Sequence, residues 1–503
     1  MSRPNILLIT SDQHHHSALG FVNAEVRTPH LDALAGSGTV FARAYCPDPT
    51  CTPSRSSMIT GKYPSQHGAW SLGTKLSESE PTLGAYLQNE GYRTALAGKA
   101  HFQPLQSTNE YPSLEAYPIL QDLEYWKNFR GPYYGFEKIA LARSHGDEAH
   151  VGQHYALWME EQGFHSWRDH FRKPTGHAQT QHGAWSLPEK FHSNRFIAEQ
   201  TKSWMNEFSV NGDQPFFIWA SFFDPHPPFL APAPWNGMYD PSKLTLPDIS
   251  PGEHDKNPPH LQMTQTSKPS FADYSEPRGH HVHGFHSHLQ SRESRAENLA
   301  LYYGMVSLLD KYVGDILCHL KKIGLEDETL VVFTSDHGHF FGQHGLHSIG
   351  AFHYEDLIRV PMIARLPGRI PAEKHSSALQ SHVDLAPTFL DFAGAKIPAS
   401  MSGVSQKSVW SGEWESARDH AIVEFHHQPT TLHLRTYVDE RYKITIYQNR
   451  DYGELFDLEM DPGEISNLWD IPTYAPLKQK LLLSLLSADL SRVPMWMPRV
   501  YGS

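Results

Sequence analysis

The stretch Asn5-Ile-Leu-Leu-Ile-Thr-Ser-Asp-Gln13 begins with a short apolar run and ends in polar residues. An apolar run of this length is typical of a strand that is buried on both faces, as in a parallel sheet. Polar groups that directly follow such a strand lie at the carboxyl edge of the sheet, where open α/β folds bind ligands. We therefore predict a buried strand over residues 5–10, with Asp12 and Gln13 at that edge.

The same pattern recurs twice further along the chain. Residues 216–220 (FFIWA) run into Asp224-Pro225-His226, and residues 330–334 (LVVFT) run into Asp336-His337. Helices are predicted between these strands, at 28–38, 82–91 and 293–322. Strands that alternate with helices over about 400 residues predict a doubly wound α/β domain, with a mostly parallel sheet flanked by helices.

Two insertions and a later change of pattern divide the chain. Residues 103–190 and 227–290 are rich in Pro, Gly, His, Trp and Tyr and show little periodicity, which is typical of lids or substrate loops. Three antiparallel strands and a helix are predicted near the end of the chain, at 421–425, 434–438, 442–447 and 477–490. We therefore predict a main domain over residues 1–400 and a smaller α+β subdomain with an antiparallel sheet over 401–503.

The composition argues against several classes of protein. The 503 residues include 42 basic and 55 acidic side chains, a formal net charge of −13, which argues against nucleic acid or an anionic membrane surface as partner. The sequence has no apolar run of about 18 residues and does not start like a signal peptide, so we expect a cytoplasmic protein. Cys46, Cys51 and Cys318 cannot form a disulfide framework.

The strongest chemical signal is Cys51-Thr-Pro-Ser-Arg55, which is followed by GKYPSQHG at 61–68. Pro53 predicts a helix start, where backbone N–H groups and the helix dipole favour an anion beside Cys51. Arg55 adds a cation whose forked guanidinium suits a tetrahedral oxyanion. Taken alone, such a motif fits a buried structural cysteine beside an ion-paired arginine better.

The motif does not stand alone, because matching segments extend over nearly the whole chain in the same order and spacing. They resemble the type I, formylglycine-dependent sulfatases of the alkaline-phosphatase-like superfamily. The segments are PNILLITSDQ (4–13), TPHLDALAGSG (28–38), CTPSR (51–55), GKAHF (98–102), SDHG (335–338), GQHGL (342–346), RVPMI (359–363), VDLAPTFLDFAG (383–394) and GELFDLEMDPGEISNL (453–468). The resemblance implies an alkaline-phosphatase-like catalytic domain.

The resemblance also implies a nucleophile and a metal site. A separate formylglycine-generating enzyme would oxidise Cys51 to formylglycine, whose hydrated aldehyde supplies the attacking oxygen. A divalent cation, usually Ca²⁺ with Mg²⁺ or Mn²⁺ as alternatives, would lower the pKa of one hydroxyl of this hydrate and polarise the substrate. Hard cations take oxygen ligands, and the implied ligands are Asp12, Gln13, Asp336, His337 and residue 51. By themselves, Asp336 and His337 fit a helix N-cap equally well.

Further roles follow from the resemblance for the groups that hold the substrate and move protons. Arg55, Lys99 and His226 would bind the substrate. His101 would take a proton from the second hydroxyl, so that the covalent sulfate ester collapses and the aldehyde returns. His226 would protonate the leaving oxygen, because an imidazole titrates near neutrality. His67 would support the nucleophile loop. The segment at Lys99 and His101 also fits a surface lysine beside a helix-capping histidine.

Two positions depart from the family pattern. Ile349 stands where relatives commonly carry a lysine, and Leu72 stands where they carry an asparagine. Ile349 brings no charge, so one oxyanion contact is missing or has moved to His347 or His353. The Asp-Gln and Asp-His pairs, together with GKAHF, resemble the branch that contains choline sulfatases and phosphonate monoester hydrolases.

These features predict a sulfuric ester hydrolase that cleaves a sulfate monoester. A phosphonate monoester or phosphodiester hydrolase would use the same site, and a catalytically silent binding protein is the alternative from another class. The tract HHVHGFHSH at 280–288 is expected to form a lid, with adventitious binding of a transition metal as the alternative. The sequence leaves open the alcohol portion of the substrate and a homo-oligomeric state.

Overall fold

The computed structural model describes residues 3–144, 148–171, 182–210, 214–274, 291–426 and 430–493. The strands are β1 (Asn5–Ser11), β2 (Thr39–Phe41), β3 (Ala44–Tyr45), β4 (Arg93–Gly98), β5 (Lys138–Arg143), β6 (His182–Trp185), β7 (Phe216–Ser221), β8 (Phe229–Pro232), β9 (Thr329–Ser335), β10 (Phe340–Phe341), β11 (His347–Ser348), β12 (Arg359–Val360), β13 (Met362–Arg365), β14 (Lys374–Ser376), β15 (Gln380–Ser381), β16 (Ala421–Phe425), β17 (Leu434–Val438), β18 (Tyr442–Tyr447) and β19 (Gly453–Asp457). The helices are α1 (Pro29–Gly36), α2 (Cys51–Thr60), α3 (Pro64–His67), α4 (Leu83–Asn89), α5 (Leu123–Asn128), α6 (Gln153–Glu161), α7 (Ser193–Val210), α8 (Pro259–Thr264), α9 (Arg292–Lys322), α10 (Glu355–Ile358), α11 (Leu385–Phe392), α12 (Lys407–Trp410) and α13 (Ala475–Ser491).

An eight-stranded sheet in the order β14-β2-β13-β9-β1-β7-β4-β5 forms the centre of the main domain. β1 lies between β7 and β9 and is parallel to both, whereas β13 is antiparallel to its neighbours β2 and β9. The prediction of a doubly wound, mostly parallel sheet is confirmed. The three predicted strands are β1, β7 and β9, the three strands at its centre.

The central strands are apolar throughout because both faces of the sheet are covered. Ile6 and Leu8 pack in one apolar cluster with residues of α2 and α11, and Leu7 and Ile9 pack in another with residues of α7 and α9. Successive side chains of a strand point to opposite faces. A strand covered on both sides therefore shows an unbroken apolar run instead of alternation.

The predicted insertion over 103–190 contains a strand of the main sheet. β5 pairs in parallel with β4 and forms the edge of the sheet. Its short sequence, KIALAR, lies among aromatic and polar loops, so no periodic pattern marks it. The second predicted insertion contains β8 and α8 in its described part. The tract 280–288 lies outside the described residues.

The C-terminal region forms the predicted antiparallel sheet, with one additional strand. β16, β17, β18 and β19 pair in sequence order, and α13 packs against them through Leu481 and Leu485. The boundary at residue 400 stays a prediction. In the described parts of the chain, no helix is both long and apolar enough to cross a bilayer.

Candidate active site

Two carboxylates meet at the carboxyl edge of the main sheet. β1 and β9 pair in register up to their last residues, so Asp12 and Asp336, which follow these strands, lie side by side. Both side chains are fully buried. The backbone N–H groups of Gln13 and His337 each donate to Asp336 Oδ1 at 3.0 Å. The backbone that follows the two strands thus holds the carboxylate of Asp336 in place.

Cys51 lies beside these carboxylates as the first residue of α2. Its Sγ is 3.5 Å from Asp12 Oδ1 and 3.3 Å from Nε2 of His337. His337 Nδ1 contacts the Gly338 carbonyl at 3.0 Å. Because a carbonyl only accepts, Nδ1 carries the proton and Nε2 offers its lone pair to the space near Cys51. Burial and the charge of Asp12 raise the pKa of the Cys51 thiol well above its usual value.

The donor set fits a divalent cation. One ligand atom from each of four buried residues lies within 4.8 Å of the others, in Asp12, Cys51, Asp336 and His337. Two carboxylates suit a hard cation, and the imidazole lone pair adds a neutral donor. Gln13 is adjacent, and its Oε1 accepts a hydrogen bond from His339 Nδ1 at 3.0 Å.

Two cations balance the two carboxylates. Arg55 Nε donates to Asp336 Oδ2 at 2.8 Å, and Lys99 Nζ forms an ion pair with Asp12 Oδ2. Burial by itself raises the pKa of Asp12, but the charges of Lys99 and Arg55 hold it below its usual value. Within the described chain, Arg55 Nη2 is buried without a hydrogen-bond partner. Arg55 therefore retains an N–H edge for an oxyanion.

The surroundings of the two histidines with predicted proton-transfer roles, His101 and His226, lower their pKa values. Burial and the charge of Arg143 lower the pKa of His101, and burial and the charge of Lys99 lower that of His226, both well below the usual value. His226 Nδ1 donates to the carbonyl of Pro227, which leaves Nε2 as its basic nitrogen. The role of His226 as general acid stays a prediction.

His347 and His353 are the two alternative positions for the oxyanion contact of the missing lysine, and the pKa of each is lowered. Burial lowers the pKa of each to about 3, with Arg295 near His347 and Lys443 near His353 adding to the effect. The His353 side chain contacts the C-terminal sheet, where its Nδ1 lies 2.7 Å from Thr436 Oγ1 of β17.

The position of the missing lysine lies in apolar surroundings. Ile349 is buried in an apolar cluster with Phe340 and Leu346. His67, which is predicted to support the nucleophile loop, lies with its Nε2 3.0 Å from Ser57 Oγ of α2.

Sequence analysis missed three residues that hold the site together. Ser221 Oγ accepts from Arg55 Nη1 at 2.7 Å and donates to the Lys99 carbonyl at 2.6 Å. Glu115 accepts from the backbone N–H groups that begin at His101. The third residue is His339, which contacts Gln13. Ser221 ends β7 and His339 closely follows β9, so strand-end position could have indicated both, whereas Glu115 has no sequence signal.

The fold and the site indicate a class of protein: an α/β enzyme whose site suits an oxyanion next to a candidate metal-binding group. This group, a helix N-terminus and two basic side chains converge at the carboxyl edge of the sheet. This is where such sheets bind ligands.

Comparison with known proteins identifies the family. The family model described as "Sulfatase" matches residues 4–395, and the model described as "N-sulphoglucosamine sulphohydrolase, C-terminal" matches residues 342–490. The chain belongs to the sulfatase family. The predicted resemblance and the predicted class of enzyme, a sulfuric ester hydrolase, are both confirmed.

Relatives of known name support the same assignment. An N-acetylglucosamine-6-O-sulfatase of Bacteroides thetaiotaomicron is 26% identical, over 96% of this chain and 86% of the relative. A choline-sulfatase of Rhizobium meliloti is 25% identical, over 95% of this chain and 85% of the relative. The crystal structure of a phosphonate monoester hydrolase of Agrobacterium radiobacter is 26% identical, with a TM-score of 0.78, over 98% of this chain and 96% of that chain.

Proposed function

We propose that this sulfatase hydrolyses a sulfate monoester with a formylglycine at residue 51 and a divalent cation, with Ca²⁺ as the first candidate. The observation that carries the proposal is the position of Cys51 at the start of α2, within 3.5 Å of both Asp12 and His337. The side chain of residue 51 therefore contacts the proposed cation site and lies beside Arg55. The test is whether residue 51 is converted to formylglycine and whether activity depends on that residue.

Asp12, Gln13, Asp336, His337 and residue 51 would hold the cation. Bound there, it would stabilise negative charge on the nucleophile and on the substrate oxygen. The cation would also compensate the carboxylate of Asp12, which now pairs with Lys99. The ammonium of Lys99 would then turn to the substrate.

The remaining residues bind the sulfuryl group and move protons. Arg55 Nη2 and Lys99 Nζ donate to sulfuryl oxygens. His101 is a neutral base that takes a proton from residue 51, and the three backbone bonds to Glu115 fix its loop. His226 uses Nε2 at the leaving oxygen, since its Nδ1 proton is committed to the Pro227 carbonyl. The maturing enzyme, the cytoplasmic location and a homo-oligomer stay predictions.

Replacement of His226 by alanine is expected to slow hydrolysis according to the leaving group. For alkyl sulfates, whose alkoxides leave poorly, we expect kcat/KM to fall by about 10²- to 10⁴-fold. For 4-nitrophenyl sulfate, the loss is expected to be about tenfold or less, because nitrophenolate leaves without a proton. The dependence of kcat/KM on leaving-group pKa, measured for both proteins, tests this role. An equal loss across the series would contradict it.

A phosphonate monoester or phosphodiester is the second candidate substrate. The observations that favour it are the Gln13 and His337 pair at the cation site and the similarity to the Agrobacterium radiobacter hydrolase. Sulfate monoesters, phosphonate monoesters and phosphodiesters share one property at neutral pH, a single negative charge. Ile349 lies in the apolar core, so the site lacks the fixed cation that relatives place there.

We therefore expect the enzyme to prefer monoanionic substrates over a phosphate monoester, which is nearly dianionic. One charge a few ångströms away is worth a few kcal/mol even at an effective dielectric of about 20, or on the order of 10²-fold in rate. The measurement is kcat/KM for 4-nitrophenyl sulfate, 4-nitrophenyl phenylphosphonate and 4-nitrophenyl phosphate on one preparation. A phosphate monoester that is the best of the three would refute the charge argument. The first two values decide between the two candidate substrates.

A further inference from the structure

Arg143 is a buried arginine that none of the family motifs contains. It is the last residue of β5, and its Nη1 donates to Glu115 Oε2 at 2.7 Å. Its side chain is fully buried, yet Nε and Nη2 have no hydrogen-bond partner among the described residues. Buried N–H groups in native proteins are nearly always bonded, because leaving them unpaired costs free energy. This guanidinium edge therefore indicates a polar ligand.

The position of Arg143 on β5 fixes the face of the sheet from which its side chain projects. Ile139, Leu141 and Arg143 alternate along β5 and so share one face of the sheet. Ile139 and Leu141 pack in the same apolar cluster as Met58 of α2. Arg143 therefore projects from the face that the nucleophile helix covers.

A shared hydrogen-bond acceptor places the guanidinium next to His101. Glu115 Oε2 accepts both from Arg143 Nη1 at 2.7 Å and from the His101 backbone N–H at 3.0 Å. The charges that act on the pKa of Arg143 agree with this position. Burial lowers the pKa of Arg143, whereas the charges of Glu115 and Cys51 act in the opposite direction.

We propose that the Nε and Nη2 edge of Arg143 binds oxygen atoms of the sulfuryl group, in place of the contact that a lysine at position 349 makes in relatives. This inference rests on the proposed function. The two nitrogens form a fork that matches two oxygens of a tetrahedral anion. Glu115 neutralises the charge of Arg143, so the site gains directed donors without gaining net charge. The preference for monoanionic substrates is therefore retained.

The test is the affinity of the metal-loaded, mature enzyme for inorganic sulfate, which contains the sulfuryl oxygens and no leaving group. Arg143→Lys keeps the charge and removes the fork. Calorimetry is expected to show sulfate binding weakened by about 10- to 100-fold, with a similar rise in KM for 4-nitrophenyl sulfate. The matched control is Arg418→Lys, because Arg418 also forms a buried ion pair, with Asp384 at 2.8 Å. Its sulfate affinity is expected to stay unchanged.

Arg143→Gln, with thermal unfolding to verify the fold, provides a second variant. If either folded variant binds sulfate as the wild type does, the proposal is overturned. A fall in kcat alone, reproduced by Glu115→Gln, would likewise overturn it and assign Arg143 to positioning the His101 loop. The proposed function fails differently: the wild-type enzyme itself would then hydrolyse no sulfate ester.

Discussion

Peptides that contain residue 51 are expected to carry formylglycine instead of cysteine when the protein is produced together with a formylglycine-generating enzyme. The expectation rests on the motif Cys51-Thr-Pro-Ser-Arg55, and the environment of the thiol shows why an unmodified cysteine would serve poorly as nucleophile. Its pKa is raised by burial and by Asp12, so it is a poor source of thiolate, the form that attacks. A hydrated aldehyde would place oxygen, the ligand that hard cations prefer, at the same position. Tandem mass spectrometry after alkylation and hydrazide labelling distinguishes the two side chains.

Variants of residue 51 are expected to lose turnover almost completely. Cys51→Ala removes the nucleophile, and we expect kcat/KM to fall by about 10⁴-fold or more. Cys51→Ser keeps one hydroxyl but has no second hydroxyl for His101 to deprotonate, so it should not turn over repeatedly. Cys318→Ser is the control, because this cysteine is exposed and outside the site, and should retain full activity. A fully active preparation whose residue 51 is entirely alkylatable thiol would disprove the formylglycine proposal.

The second large effect is expected for Asp336→Asn, which should remove metal and activity together. Asp336 contributes one of the two carboxylates of the cation site and is also the ion-pair partner of Arg55. Without its charge, Arg55 keeps only the longer ion pair with Asp12, at 3.8 Å, and is therefore poorly compensated next to the cation. We expect kcat/KM to fall by about 10³-fold or more. Metal content is measured by mass spectrometry after gel filtration.

Thermal unfolding provides an independent measurement of metal binding by the same variant. Because a ligand that binds only the folded state stabilises it, added Ca²⁺ should raise the Tm of the wild type and leave that of Asp336→Asn unchanged. Asp310→Asn is the matched control, since Asp310 is also buried and accepts from the backbone N–H groups of His30 and Leu31. This control should lose stability but retain metal. Stoichiometric metal and near-normal rates in Asp336→Asn would refute the ligand set.

Apolar runs in the sequence predicted the central strands of the main sheet. Short strands in unusual surroundings were not predicted. β1, β7 and β9 were predicted because a strand covered on both faces has no polar alternation. β5 was missed because its apolar run of four residues lies in a loop-like insertion. β19 was missed although GELFD is buried along its whole length, because it follows a turn and lacks a distinct pattern. Pairing with β18 makes it a strand.

The sequence by itself determined the acidic strand ends and the family, and it carries the motif on which the proposed nucleophile position rests. Each is a contiguous motif, and the local backbone places its side chains at one end of a strand or helix. Only the tertiary structure decided which distant groups surround them. Glu115 and Arg143 reach the His101 loop from an insertion, and burial lowers the pKa of His347 and of His353. Burial and long-range hydrogen bonds arise only when the chain has folded, so no local pattern records them.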